Sequence, residues 1–130
     1  MRHQLFDIGR EYTKALNEAT GHPVRRTLEN GYIPQDGPFT VVQVFTHSRG
    51  NLTRTTRVAT ECDVVLSTVG AGSTKALEAA LEVHNTAMEL TSLGEHRLSK
   101  PREEQDPQII GDGAVKGSAQ AVSRLTFTLY

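Results

Sequence analysis

The residues between Gly70 and Lys75 come closest to a known ligand-binding motif. The segment GAGSTK follows a predicted strand and precedes a predicted helix, a junction where helix N-terminal amides attract anions. A P-loop nevertheless requires G-x-x-x-x-G-K-[ST], whereas Thr74 precedes Lys75 and Ala76 follows it. The dinucleotide fingerprint fails too, because Lys75 occupies its third glycine position. A small nucleotide-binding module is therefore the minor interpretation, and a glycine-rich turn with Ser73 as helix N-cap is favoured.

The histidines and the single cysteine form no recognisable metal site or catalytic pair. The histidines are His3, His22, His47, His84 and His96. No two of them are spaced i, i+4 and none neighbours Cys62, so metal ligation is not favoured. Cys62 lies on the core face of a predicted strand, which predicts a buried, inert thiol. His84 lies in a predicted helix, and we expect it at the boundary between core and surface with one ring nitrogen hydrogen-bonded. We expect no enzymatic activity, no metal and no cofactor.

Charged side chains are the remaining candidates, and they favour contacts with protein partners. Residues 1–57 carry eight Lys/Arg against five Asp/Glu, or +3, and residues 58–130 carry six against ten, or −4. This asymmetry is either chance or a sign of complementary surfaces that stack or form a ring. The formal net charge of −1 gives no basic signature for nucleic acid. The candidate contact residues lie in a predicted hairpin connection and a predicted long loop: Arg49, Arg54, Arg57, Lys100, Arg102, Glu103, Glu104 and Asp106.

The two charged groups have competing interpretations. The three arginines could hold phosphates, but no aromatic residue lies between them, so stacking on single-stranded nucleic acid is unsupported. Glu103, Glu104 and Asp106 could do acid–base chemistry only in a cleft with little water. In a charged loop we expect them to be solvated.

Hydrophobic periodicity predicts an α+β fold in the order α-β-β-β-α-β-β. Helices are predicted at 3–19 and 74–92, and strands at 24–28, 39–46, 58–67, 95–99 and 122–130. A single domain spanning 1–130, with a mostly antiparallel sheet packed against two helices, follows from this order. Residues 100–117 contain two prolines and three glycines, which predicts a long loop with little regular structure. No signal peptide and no membrane span are predicted, since no run approaches about 20 apolar residues.

Three stretches of the chain carry a resemblance to a known family. The first comprises residues 20–26 (TGHPVRR), 30–34 (NGYIP) and 37–44 (GPFTVVQV); the second is 62–77 (CDVVLSTVGAGSTKAL) and the third 121–129 (AVSRLTFTL). In the order of their elements and in the character of their residues they resemble the tail terminator, or neck, proteins of tailed bacteriophages. Residues 100–117 have no counterpart in that resemblance.

The resemblance implies a structural virion protein of the tail or neck that is assembled in the host cytoplasm. Its subunits would form a homohexameric ring that caps the tail tube, ends tube polymerisation and joins the tail to the head connector. The implied partners are other copies of the chain, the tail tube protein, the head–tail connector or stopper protein and, in contractile phages, the sheath protein. Neither a membrane nor a specific nucleic-acid sequence is an expected partner. Another phage neck or tail-completion protein is the nearest alternative.

Overall fold

Two helices and seven strands make up the part of the chain that the structure describes. The structure is a computed structural model and describes residues 7–27, 37–48, 60–112 and 117–130. The elements are α1 (Ile8–Ala19), β1 (Val24–Arg25), β2 (Phe39–Ser48), β3 (Thr60–Gly70), α2 (Ser73–Met88), β4 (Ser92–Leu93), β5 (His96–Arg97), β6 (Arg102–Asp112) and β7 (Ala119–Leu129). The predicted α+β class, with helices in first and middle position, is confirmed.

Helix α1 begins at an aspartate cap. The Asp7 carboxylate accepts a hydrogen bond from the Arg10 amide at 3.0 Å, as the amides of a first helical turn require. This bond, together with the nearby Arg26 guanidinium, holds the pKa of Asp7 below its ordinary value. Tyr12 and Leu16, one turn apart, are fully buried. The described helix agrees with the prediction at its C-terminal end, and residues 1–6 lie outside the described part.

The main sheet has five strands in the order β1-β2-β3-β7-β6. All neighbours pair antiparallel except β1 and β2, which are parallel. β4 and β5 form a separate two-stranded ribbon. Predicted strands 24–28, 39–46, 58–67 and 122–130 thus correspond to β1, β2, β3 and β7, with shifted ends. Strand 95–99 corresponds to β5.

The core lies between the sheet and both helices. Along β3 the even-numbered Cys62, Val64 and Leu66 are buried while Glu61 and Asp63 are only partly covered, as the sequence alternation predicts. The same face of β7 adds Leu125 and Phe127, and the Phe127 ring stacks on Tyr12 of α1 at 5.2 Å between centroids. The predicted burial of the Cys62 thiol is confirmed. Desolvation raises its pKa to about 11, which disfavours the reactive thiolate.

Residues 100–117 correct the sequence prediction. Instead of a long loop, residues Arg102–Asp112 form β6, an edge strand that pairs with β7. Three register shifts interrupt the pairing, one of them between Gln105 and Gln108, where Pro107 lies. An irregular edge tolerates a proline and many charges, and the bulges break the two-residue alternation by which strands are recognised. Residues 113–116 lie outside the described part.

Helix α2 also differs from the prediction in its details. It spans Ser73–Met88 rather than 74–92, and Gly72 is its N-cap, with no side-chain cap hydrogen bond. Ser73 is therefore the first helical residue and not the cap. Its buried face is made of small residues, including Ala76, Ala80 and Ala87, which let the helix lie close to β3, β7 and β6. Among the described helices, none is long and apolar enough to cross a membrane.

Candidate assembly surface

One face of the sheet carries both helices, and the described elements leave the other face open. Strand register places Phe45, Asp63, Thr126 and Arg102 in one row across four strands of this open face. The next row contains Gln43, Val65, Arg124 and Gln105. All of these residues except Gln43 line a shallow cleft of about 720 Å³. Phe45 lies in it with 50% of its surface exposed, which is a large apolar group to leave in water.

Charged and polar pairs lie on the strands beside the exposed phenyl ring. His47 Nε2 lies 2.8 Å from the Asp63 carboxylate, and Arg102 Nε donates to the Glu104 carboxylate at 2.8 Å. Arg124 from β7 projects into the same cleft. Exposed apolar area next to polar and charged side chains is a common composition of a protein-binding surface. It lacks the water-poor enclosure that acid–base catalysis needs.

Only some of the predicted contact residues come together. Lys100 and Arg102 line a second cleft of the open face, alongside Glu61 and Asp63. Asp106 is exposed on the outermost strand, β6. The three predicted arginines, Arg49, Arg54 and Arg57, lie outside the described residues, so their role stays a prediction.

Glu103 has a different role from its neighbours. Its carboxylate accepts a 2.6 Å hydrogen bond from Nε2 of His84 on α2, although the ring is only 2% exposed. Nδ1 of that ring has no partner among the described residues, so the prediction of one satisfied nitrogen is confirmed. His84 is buried, however, and not at a boundary. No sequence pattern indicated the His84–Glu103 hydrogen bond, because residue 103 was assigned to a loop.

The His84–Glu103 bond yields a matched pair of neighbouring substitutions. Glu103→Gln keeps an acceptor but removes the charge opposite a buried imidazole, and we expect it to lower the free energy of unfolding by about 1 kcal/mol. Glu104→Gln affects only the exposed Arg102 pair and should cost less than about 0.5 kcal/mol. Urea denaturation of both variants measures the difference. Equal losses of unfolding free energy would show that the His84–Glu103 pair stabilises the fold no more than the exposed Arg102–Glu104 pair.

A second buried polar group connects both helices to the sheet. His22 Nε2 lies 2.8 Å from Thr40 Oγ1, which lies 2.7 Å from Thr68 Oγ1. On the other side of the ring, His22 Nδ1 approaches the Glu82 carboxylate of α2 at 3.4 Å. Glu82 also accepts a 2.8 Å hydrogen bond from the Gly21 amide. The network joins the loop after α1 to α2, β2 and β3.

The buried position of His22 predicts a pH-dependent stability. Desolvation lowers the pKa of His22 below its ordinary 6.5, and the nearby Glu82 only partly opposes this. The native state therefore binds a proton less readily than the unfolded chain, and stability is lost as the pH falls below the unfolded value. Denaturation of the wild type and His22→Gln at about pH 7.5 and about pH 5.5 tests this prediction. On acidification the wild type should lose more unfolding free energy than His22→Gln. Equal losses would contradict the lowered pKa of His22 as the cause.

The glycine-rich turn has a packing explanation. A Cβ added to Gly70 would lie 2.9 Å from the Ala76 amide nitrogen, so the last residue of β3 allows α2 to approach the sheet closely. Gly72 adopts a φ of +100°, which favours glycine. Lys75 is exposed. Among residues 7–27, 37–48, 60–112 and 117–130, no group of three His, Cys, Asp or Glu side chains is placed to hold a metal ion.

Comparisons with known proteins identify a related fold. No protein-family model matches the chain, and no curated protein matches its sequence. A chain from a solved structure described as the virion of a native gene transfer agent particle is similar, with a TM-score of 0.61 and 15% identity. The similarity covers 92% of this chain and 90% of that one. With 15% identity the similarity shows a shared fold, and this fold extends over nearly the whole of each chain.

Proposed function

We propose that this chain is a structural virion protein, a tail terminator subunit whose copies form a ring at the head-proximal end of a tail tube. The ring caps the tube, stops its polymerisation and presents a surface to the head connector. The observation that carries the proposal is the fold shared with a chain of a gene transfer agent virion, over 92% and 90% of the two lengths. The role is one of binding and not of catalysis.

Two features of the molecule support this role. The open face exposes Phe45 among paired charges, which suits docking on another protein. The single thiol of the chain is buried, which places it away from any partner or substrate in solution. Copies of such a subunit, joined by a heterologous contact that closes by rotation, make a ring whose two faces differ. One face can end a growing tube while the other binds a connector.

Electron microscopy of particles that lack this chain tests the proposal. Without a terminator, tube subunits continue to add, so we expect tails of variable and excessive length that are not joined to heads. Restoring the wild-type chain should return uniform, joined tails. Tails of normal length that join heads without the chain would refute the terminator role. Tails of normal length that fail to join would instead indicate a head-completion role.

A further inference from the structure

A groove on one lateral edge of the fold is lined with cationic side chains. It lies between the outer face of α1 and β1, the edge strand of the sheet. The cations are Arg10 and Lys14 from α1 with Arg25 and Arg26 from β1 and the residue after it. The aliphatic parts of these side chains supply its apolar surface, because Val24 beneath them is fully buried. We call this site the basic groove.

The basic groove keeps a surplus of positive charge. Arg26 pairs with Asp7 at 3.1 Å, and Arg10 lies 3.3 Å from Glu11. Arg25 bonds instead to neutral acceptors, among them the Asn17 side-chain oxygen at 2.6 Å. Within the described ranges, no carboxylate forms an ion pair with Lys14 or Arg25. At least two cations therefore remain available to an external acidic partner.

The opposite lateral edge is acidic and apolar. We call it the acidic flank, comprising Leu81 of α2 with Glu103, Asp106, Ile109 and Ile110 of β6. Leu81 is 42% exposed and Ile110 57% exposed. Leu81 lies one turn before His84, whose bond to Glu103 fixes this side of α2 toward β6. Asp106 pairs with no cation in the described part of the chain, so the flank offers an unneutralised carboxylate beside apolar surface.

One molecule cannot bring these two surfaces together. β1 and β6 are the two edge strands of the five-stranded sheet, four strand spacings or about 19 Å apart. Each surface combines apolar area with unbalanced charge of one sign, so each fits the other in chemistry. Opposite placement also means that one copy can use both surfaces at once, with a different neighbour on each side.

We propose that the acidic flank of one copy docks in the basic groove of the next. The occupant of the groove is thus a second copy of this chain, and the contact is heterologous, the type that closes into rings. The inference rests on the proposed ring function and assigns the surfaces that build the ring. The apolar side chains of the flank contact the aliphatic parts of the groove cations, while Asp106 meets Lys14 and Arg25.

Charge reversal on each side tests the contact in the purified full chain. Lys14→Glu and Asp106→Lys should each weaken self-association, measured by sedimentation velocity, by roughly tenfold or more. An equimolar mixture of the two variants should associate again. When the two variants alternate, half of the contacts pair the unchanged Asp106 with the unchanged Lys14. In the other half both residues are reversed, so opposite charges still meet. The double variant Lys14→Glu/Asp106→Lys should associate alone for the same reason, which also shows that the substitutions leave the fold intact.

Two matched variants control for net charge. Lys75→Glu on α2 and Glu89→Lys at its C-cap change the charge of exposed residues by the same amounts and lie outside both surfaces. They should leave self-association unchanged. Raising the salt to about 1 M, where the Debye length is about 3 Å, should weaken wild-type association.

The outcomes separate this inference from the proposed function. A wild type that stays monomeric at its highest soluble concentration overturns the assignment, as do reversals that have no effect or a mixture that stays dissociated. Anisotropy with labelled duplex DNA adds one more outcome. If Lys14→Glu abolishes DNA binding but leaves self-association intact, the groove binds nucleic acid and the inference fails. The terminator role is judged independently, by tail length and head joining in particles that lack the chain.

Discussion

Replacing Leu125 with alanine is expected to lower the free energy of unfolding by about 2–5 kcal/mol. Leu125 is fully buried on β7, between β3 and β6, where it pairs with Val64 on one side and Glu103 on the other. It packs in the cluster under both helices. Truncation leaves a cavity that strands held on both sides cannot close. Guanidinium denaturation measures the loss.

Leu81→Ala is the matched control for that substitution. The same side chain is 42% exposed on α2, so its removal should cost less than about 1 kcal/mol. It should nevertheless weaken self-association, because Leu81 belongs to the acidic flank. A loss of stability as large as that of Leu125→Ala would show that Leu81 belongs to the core and would discount it as a contact residue.

The second large effect is expected from Gly70→Ala, which should destabilise the fold by about 1–3 kcal/mol. The added Cβ would lie 2.9 Å from the backbone nitrogen and 3.0 Å from the Cα of Ala76. Main-chain atoms cannot rotate away as a side chain can, so the first turn of α2 must move off the sheet. Thermal denaturation followed by circular dichroism measures the effect.

Gly9→Ala provides the same chemical change with the opposite expected sign. Its added Cβ would meet the end of the Arg26 side chain at 3.0 Å, and that side chain is half exposed and free to move. Alanine at this position, the second residue of α1, should then stabilise by up to about 0.5–1 kcal/mol. If Gly9→Ala also destabilises, crowding by Arg26 outweighs helix propensity. If Gly70→Ala is neutral, the close approach of α2 does not limit stability.

The sequence predicted those parts of the fold whose burial follows a simple period. β7 alternates buried and more open residues along its whole length, and β3 does so from Glu61 to Thr68, so both were recognised as strands and Cys62 was assigned to the correct face. β6 was missed because bulges and Pro107 break the period and because charges dominate an edge strand. The His84–Glu103 pair was missed for the same reason, since a carboxylate assigned to a loop was expected to be solvated.

The candidate surface depends on information that no local pattern contains. Phe45 and Arg124 are distant in sequence, and only strand register places them in one cleft. The charge asymmetry between the halves of the chain was equally compatible with chance and with complementary surfaces, and the basic groove and the acidic flank are a proposal. Their positions on opposite edges required the strand order β1-β2-β3-β7-β6, because β7 inserts between β3 and β6 although it follows both in sequence.

That insertion has a consequence for synthesis on the ribosome. Until residues 119–129 emerge, β6 has no neighbour to pair with, and α2 lacks Leu125 and Phe127 beneath its apolar face. The nascent chain can form the β2–β3 hairpin and little more of the core. The native core therefore forms only after β7 has left the ribosome, and until then the nascent polypeptide presents apolar surface that chaperones bind.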